Sequence, residues 1–148
     1  MAETAPELDG VVVHKFLLIN RYLRRYAHQV TAHGVRPRQF SVLRFLLERG
    51  PATVGEVQTY LYSSASLAST VISQLEEAGR VTRTRSAEDN RVVIVELTPA
   101  GRQLAQEAPM GGIILLRRRL AGLAPDRLHR LDVALTDLIE LMEVPDEE

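Results

Sequence analysis

Apolar residues along the chain fall into two kinds of pattern, and these order its elements. Val12, Phe16, Ile19, Leu23, Tyr26 and Val30 recur at steps of three and four, which predicts an amphipathic helix over about residues 11–33. Gly34 stands where a helix-ending glycine is expected, and Pro37 suits the first turn of a second helix running to about residue 49. Thr53-Val54-Gly55-Glu56 has the spacing of a capping box and opens a short third helix ending near residue 61. A fourth helix, over 66–78, carries Leu67, Val71, Ile72 and Leu75 on one stripe and stops at Gly79. The period then changes to two: 81–85 and 92–97 read as strands, joined by the polar turn 86–90. Thr98-Pro99 caps a long helix expected to reach residue 120, with Pro109 and Gly111-Gly112 as the points where it would kink. Pro125 starts a last helix to about residue 143, with Leu128, Leu131, Leu135 and Leu138 on one face. The fold class is therefore mostly α with a small β-hairpin wing, in the order ααααββαα.

Composition narrows the chemistry. The 148 residues are 45% hydrophobic and 25% charged, ordinary values for one folded domain. There is no cysteine, which excludes disulfides, thiolate metal sites and thiol redox switching. No apolar run is long enough for a membrane span, and the acidic start lacks the order of a signal peptide, so a soluble, cytoplasmic protein without membrane partners is expected. His14, His28, His33 and His129 do not form a pair at helical metal-ligand spacing, so no metal site is expected. No phosphate-binding glycine loop or nucleophile–base pair is present, and neither catalytic residues nor a cofactor are expected.

Charge is uneven although the net is only −1. Residues 11–35 carry +4, whereas 126–148 carry −6, and all but one of the 18 basic residues are Arg. A basic body with acidic ends is compatible with a polyanionic partner and is also common on solvated surfaces.

Residues 53–97 carry the functional signal. A capped helix, a tight turn, a second amphipathic helix and a hairpin make a winged helix-turn-helix pattern, in which the second helix enters the DNA major groove. With its apolar stripe turned inward, that helix presents Ser66, Ser69, Thr70, Ser73 and Gln74, with Ser64 just before it. Such groups can bond base edges, Gln suiting adenine, or can form an ordinary solvated face. The helix has no Lys or Arg between Ser63 and Glu77, so cations must come from Arg38, Arg83, Arg85 and Arg91. Asp89, two residues from Arg91, has the spacing to hold its guanidinium, either for DNA or simply to brace the hairpin.

Three stretches then resemble a known family. Leu75-Glu76-Glu77-Ala78-Gly79-Arg80-Val81-Thr82-Arg83, Asp89-Asn90-Arg91 and Leu97-Thr98-Pro99-Ala100-Gly101 are similar to the MarR family of bacterial transcriptional regulators. Gly34-Val35-Arg36-Pro37-Arg38-Gln39-Phe40 is similar to that family's approach to its second helix. Thr70 departs from it, where relatives carry a basic residue, and Tyr62 stands where a glycine commonly ends the third helix.

The resemblance implies a homodimeric, sequence-specific DNA-binding repressor on a pseudo-palindromic double-stranded operator, with Arg91 directed by Asp89 to the minor groove. It further implies a MarR-type domain over 10–144, in which 34–98 form the DNA-binding core and 10–33 with 99–144 the dimerisation helices. Residues 1–9 and 145–148 are left as acidic tails. A small aromatic or anionic effector would sit against His14, Tyr22, Phe40 and Arg44. Arg44 interrupts an apolar run and could equally pair with an internal acid. The alternative is a winged-helix protein-interaction module without specific DNA binding, which the uncharged recognition helix favours.

Overall fold

The computed structural model describes residues 5–146. Among the described residues seven helices and three short strands follow in order: α1 (Ala5–Thr31), α2 (Pro37–Arg49), β1 (Ala52–Thr53), α3 (Val54–Leu61), α4 (Ala65–Glu77), β2 (Val81–Arg85), β3 (Val93–Leu97), α5 (Pro99–Glu107), α6 (Gly112–Leu120) and α7 (Pro125–Leu141). No described helix is long and apolar enough to cross a membrane.

Three features differ from the sequence pattern by more than a residue or two. Helix α1 already includes Ala5–Asp9, so that part of the expected acidic tail is helical; the rest of it, 1–4, and the end of the C-terminal tail, 147–148, lie outside the described residues. A two-residue strand, β1, joins the hairpin at Ala52↔Val95 and Thr53↔Ile94, giving an antiparallel sheet in the order β1-β3-β2. Its brevity leaves no periodicity to read.

The third difference is that the expected long fifth helix is two helices. Ala108 is extended at ψ 145°, as the residue before a proline tends to be, and Gly112 takes φ +53°. The backbone groups freed at the break find partners on α1. Tyr26 donates its hydroxyl to the Pro109 carbonyl at 2.8 Å, and the Gly112 N–H donates to the Tyr22 hydroxyl at 3.1 Å. The Tyr26 ring packs against Gly112, where a Cβ would come within 2.5 Å of it. Burial of that phenol raises its pKa.

The chain divides into one compact unit ending at Gly112 and another beginning at Ile113. The core of the first is wholly apolar: Val30, Phe40, Val42, Leu43, Val57, Ile72 and Val95 have no exposed surface. Caps close its helices. Thr53 Oγ1 accepts from Glu56 N at 3.0 Å, Ser64 Oγ from Leu67 N at 3.1 Å, and Thr98 Oγ1 from Gly101 N at 3.1 Å. Glu56 also meets Arg49, tying the end of α2 to the start of α3. Tyr62 ends α3 in the left-handed region, φ 51°, a conformation costing a side-chain-bearing residue about 1–2 kcal/mol. In the second unit α7 buries none of its residues, and Leu131, Leu135 and Ile139 are exposed.

Candidate nucleic-acid interface

Helix α4 is positioned by its apolar stripe. Ala68, Val71, Ile72 and Leu75 are buried at helical spacing, so Ser66, Ser69, Thr70 and Gln74 are exposed and Ser73 is half-buried. Three of the expected contact residues already have local duties. Ser64 is the N-cap, and Thr70 Oγ1 donates back to the Ser66 carbonyl at 3.0 Å. Gln74 accepts, through Oε1, from Gln39 Nε2 on the first turn of α2 at 2.9 Å.

Alternation along β2 decides what Arg83 does. Val81 is buried, and Arg83, two residues on, shares its face. That face turns toward α4. The Arg83 backbone N–H donates to Glu76 Oε2 at 3.1 Å, its Nε stands 3.6 Å from Glu76 Oε1, and its NH2 donates to the Ser73 hydroxyl. In this arrangement Arg83 braces the recognition helix and its charge is met by Glu76. The local pattern around residue 83 shows which face it takes but not that Glu76 waits there.

The wing is built differently. Arg85 crosses the hairpin to the Asn90 carbonyl at 2.7 Å, while Ser86 N donates to the Val92 carbonyl and Val92 N to the Asp89 carbonyl. Asp89 accepts from Arg91 three times: backbone N at 3.0 Å and Nε at 3.2 Å on Oδ1, and NH2 at 3.3 Å on Oδ2. The Arg91 side chain nonetheless remains 91% exposed. The side-chain bond from Arg91, then the backbone one, holds the Asp89 carboxyl below its ordinary value. Because the bound form is the ionised one, the tether is complete at neutral pH. It is lost only as pH falls through a value below the usual carboxylate range.

Arg91 and Arg83, with Thr53, Val54 and Val93, line a cleft of about 510 Å³ at the base of the wing. Arg38 is exposed on the first turn of α2.

The four residues expected around an effector are not gathered into one pocket. Phe40 has no exposed surface and belongs to the core. Arg44 is half-buried and engaged within the chain: it donates to Glu48, an exposed acid one turn along α2, at 2.9 Å, and to the Ala105 carbonyl at 3.2 Å, the second bond joining α2 to α5. Tyr22 stacks beside Tyr26, 6.4 Å between centroids, on the α5–α6 break. His14 is exposed about 12 Å further along α1, two turns away. Among the described residues no group of three or more His, Cys, Asp or Glu could hold a metal ion.

A short capped helix, a recognition helix with a polar outer face and a three-stranded wing define a winged helix-turn-helix protein. The MarR family model matches residues 35–93. Over 133 residues the chain is 30% identical to the uncharacterized HTH-type transcriptional regulator YkoM of Bacillus subtilis, covering 90% of this chain and 84% of that one. The fold is also that of AbsC, a MarR family transcriptional regulator from Streptomyces coelicolor, with TM-score 0.64 and 24% identity over 98% of this chain and 99% of AbsC. FabT of Streptococcus pneumoniae, solved in complex with DNA, is similar with TM-score 0.62 and 19% identity over 92% of this chain and 97% of FabT. This chain belongs to the MarR family of DNA-binding transcriptional regulators. The family is one of regulators, not of enzymes.

Proposed function

We propose that the chain is a homodimeric repressor that reads a pseudo-palindromic operator with α4 and the wing and is released by a small aromatic or anionic effector. The observation that carries the DNA-reading part is the pairing of a polar, exposed α4 face with Arg91, oriented by Asp89 yet almost fully exposed. A guanidinium held in one orientation loses less freedom on reaching DNA, so its contact is stronger than its exposure alone suggests.

The dimer is supported by uncovered apolar surface in each unit. Helix α7 has no buried residue, and α1 exposes Val12, Leu17, Leu18 and Ile19. These side chains are about half exposed, so each gains on the order of 1 kcal/mol when fully covered, and a second copy brings the same faces. On this reading residues 34–98 read DNA, and 10–33 with 99–144 build the dimer. Tyr22 and Arg44, the two expected effector residues that lie near Tyr26, are where an effector would act, and it shifts nothing unless it prefers the free dimer to the DNA-bound one.

Fluorescence anisotropy against the DNA flanking the coding region, beside a scrambled duplex and over a salt series, tests the reading. Expected is preferential, salt-sensitive binding at one dimer per site. Arg91→Ala should weaken binding about tenfold and flatten the slope of log affinity against log salt by about one per protomer. An unchanged slope and affinity would remove the wing from the mechanism. No binding at low salt would instead favour a protein partner, a reading to which the absence of Lys and Arg on α4 lends support.

A further inference from the structure

We infer that Tyr62, in the turn between α3 and α4, holds the DNA backbone beside the recognition helix, its hydroxyl donating to a phosphate oxygen; the inference rests on the DNA-reading function proposed above. The backbone of Tyr62 is left-handed, φ 51° and ψ 43°, a conformation that glycine adopts freely and a bulky side chain rarely does. The turn needs that conformation. The Tyr62 N–H donates to the Thr59 carbonyl at 3.2 Å and the Ser63 N–H to the Gln58 carbonyl at 3.3 Å, the two bonds that close a glycine-ended helix. The fold therefore asks for a left-handed residue here, not for an aromatic one.

Nor does burial offset the strain. The Tyr62 side chain is 88% exposed, more than any other large apolar residue among those described, so the fold gains little from covering it. A strained residue whose bulk its own fold does not use points to a use outside the fold. Its place in the chain says what that use is. Tyr62 precedes Ser64, the cap of α4, by two residues, so their Cα atoms lie within about 7 Å of each other. The first residues of a recognition helix meet base edges in the major groove. The segment that leads into the helix then passes the sugar-phosphate strand bounding that groove. Tyrosine suits such a strand: its ring covers the apolar face of a deoxyribose and its hydroxyl donates to a phosphate. It brings no charge, so unlike Arg91 it displaces no counterion. Every nucleotide offers the same sugar and phosphate, so the contact adds affinity without choosing a base.

Two variants of the full-length protein test this, against a duplex that the wild type selects from a random pool and against single-base changes of that duplex. Tyr62→Phe keeps the ring and removes the hydroxyl, and affinity should fall about fivefold for each protomer on the DNA. Tyr62→Gly removes the contact and the strain together. It should bind at least about tenfold more weakly while its denaturant midpoint rises, opposite changes that a merely structural residue does not give. In both variants the slope of log affinity against log salt and the ranking of the duplexes should stay as in the wild type.

Unchanged affinity in Tyr62→Phe would overturn the inference. So would a Tyr62→Gly protein that binds normally, or one whose midpoint falls, since the ring would then serve the fold. A loss confined to particular base pairs would make Tyr62 a base reader, and an altered sedimentation mass would make it a contact between copies. Each of these results overturns the backbone contact and leaves the DNA-reading function standing. A selection that enriches no duplex overturns that function, and the inference with it.

Discussion

Gly101→Ala is expected to cost about 3 kcal/mol or more of folding stability, read as a lowered denaturant midpoint with an unchanged slope. A Cβ at this position would fall on the Arg80 carbonyl oxygen and within 2.9 Å of its carbon. Both are backbone atoms and cannot swing aside as a side chain would. The same carbonyl accepts from Thr98 N at 3.1 Å, and Thr98 Oγ1 donates to the Gly79 carbonyl at 2.6 Å. The turn from α4 into β2 and the turn from β3 into α5 are thus pinned to each other at Gly101. A shift there moves the base of the wing relative to α4, so the variant should lose DNA affinity even at temperatures where it stays folded. A cost below about 1 kcal/mol would mean that the two turns are free to separate and do not set the wing.

The second large effect is expected at Phe40. Its ring is fully buried, and Phe40→Ala should destabilise by about 3–5 kcal/mol, a substantial share of the 5–15 kcal/mol that holds a typical domain folded. Denaturation at one fixed protein concentration is the appropriate measurement, since the apparent stability of the proposed dimer would depend on concentration. The result also separates two roles for the residue. A core side chain shows a large stability loss; an effector-pocket wall shows a small one, with altered ligand response. Its burial beside Val42, Leu43 and Leu46 on α2 predicts the first.

The helix and strand order was legible because each element carries a strong local signal. Thr53-x-x-Glu56 reads as a capping box and is one, and α4 follows from four apolar residues at helical spacing. The wing was equally plain: the Asp89–Arg91 bond spans two residues, and no other part of the chain is needed to form it. By contrast β1 was missed because two residues carry no period, and its pairing partners lie more than forty positions away. The split between α5 and α6 had its proline and glycines in view. Nothing local said that the helix would break outright, because the groups that stabilise the break are phenols on α1.

The candidate site divides along the same line. Which face of α4 is polar, and that Arg91 sits at a hairpin tip beside a carboxylate, are properties of residues a few positions apart, so spacing alone settles them. Which of those polar groups remain available to a ligand is not local. Arg83 is engaged by Glu76 and Ser73 across β2 and α4, Gln74 is bonded to a residue 35 positions earlier, and Phe40 is enclosed by the core. Sequence fixes periodicity and therefore faces. Hydrogen bonds and ion pairs between distant segments exist only after the chain has closed on itself, and they decide which side chains are left to act.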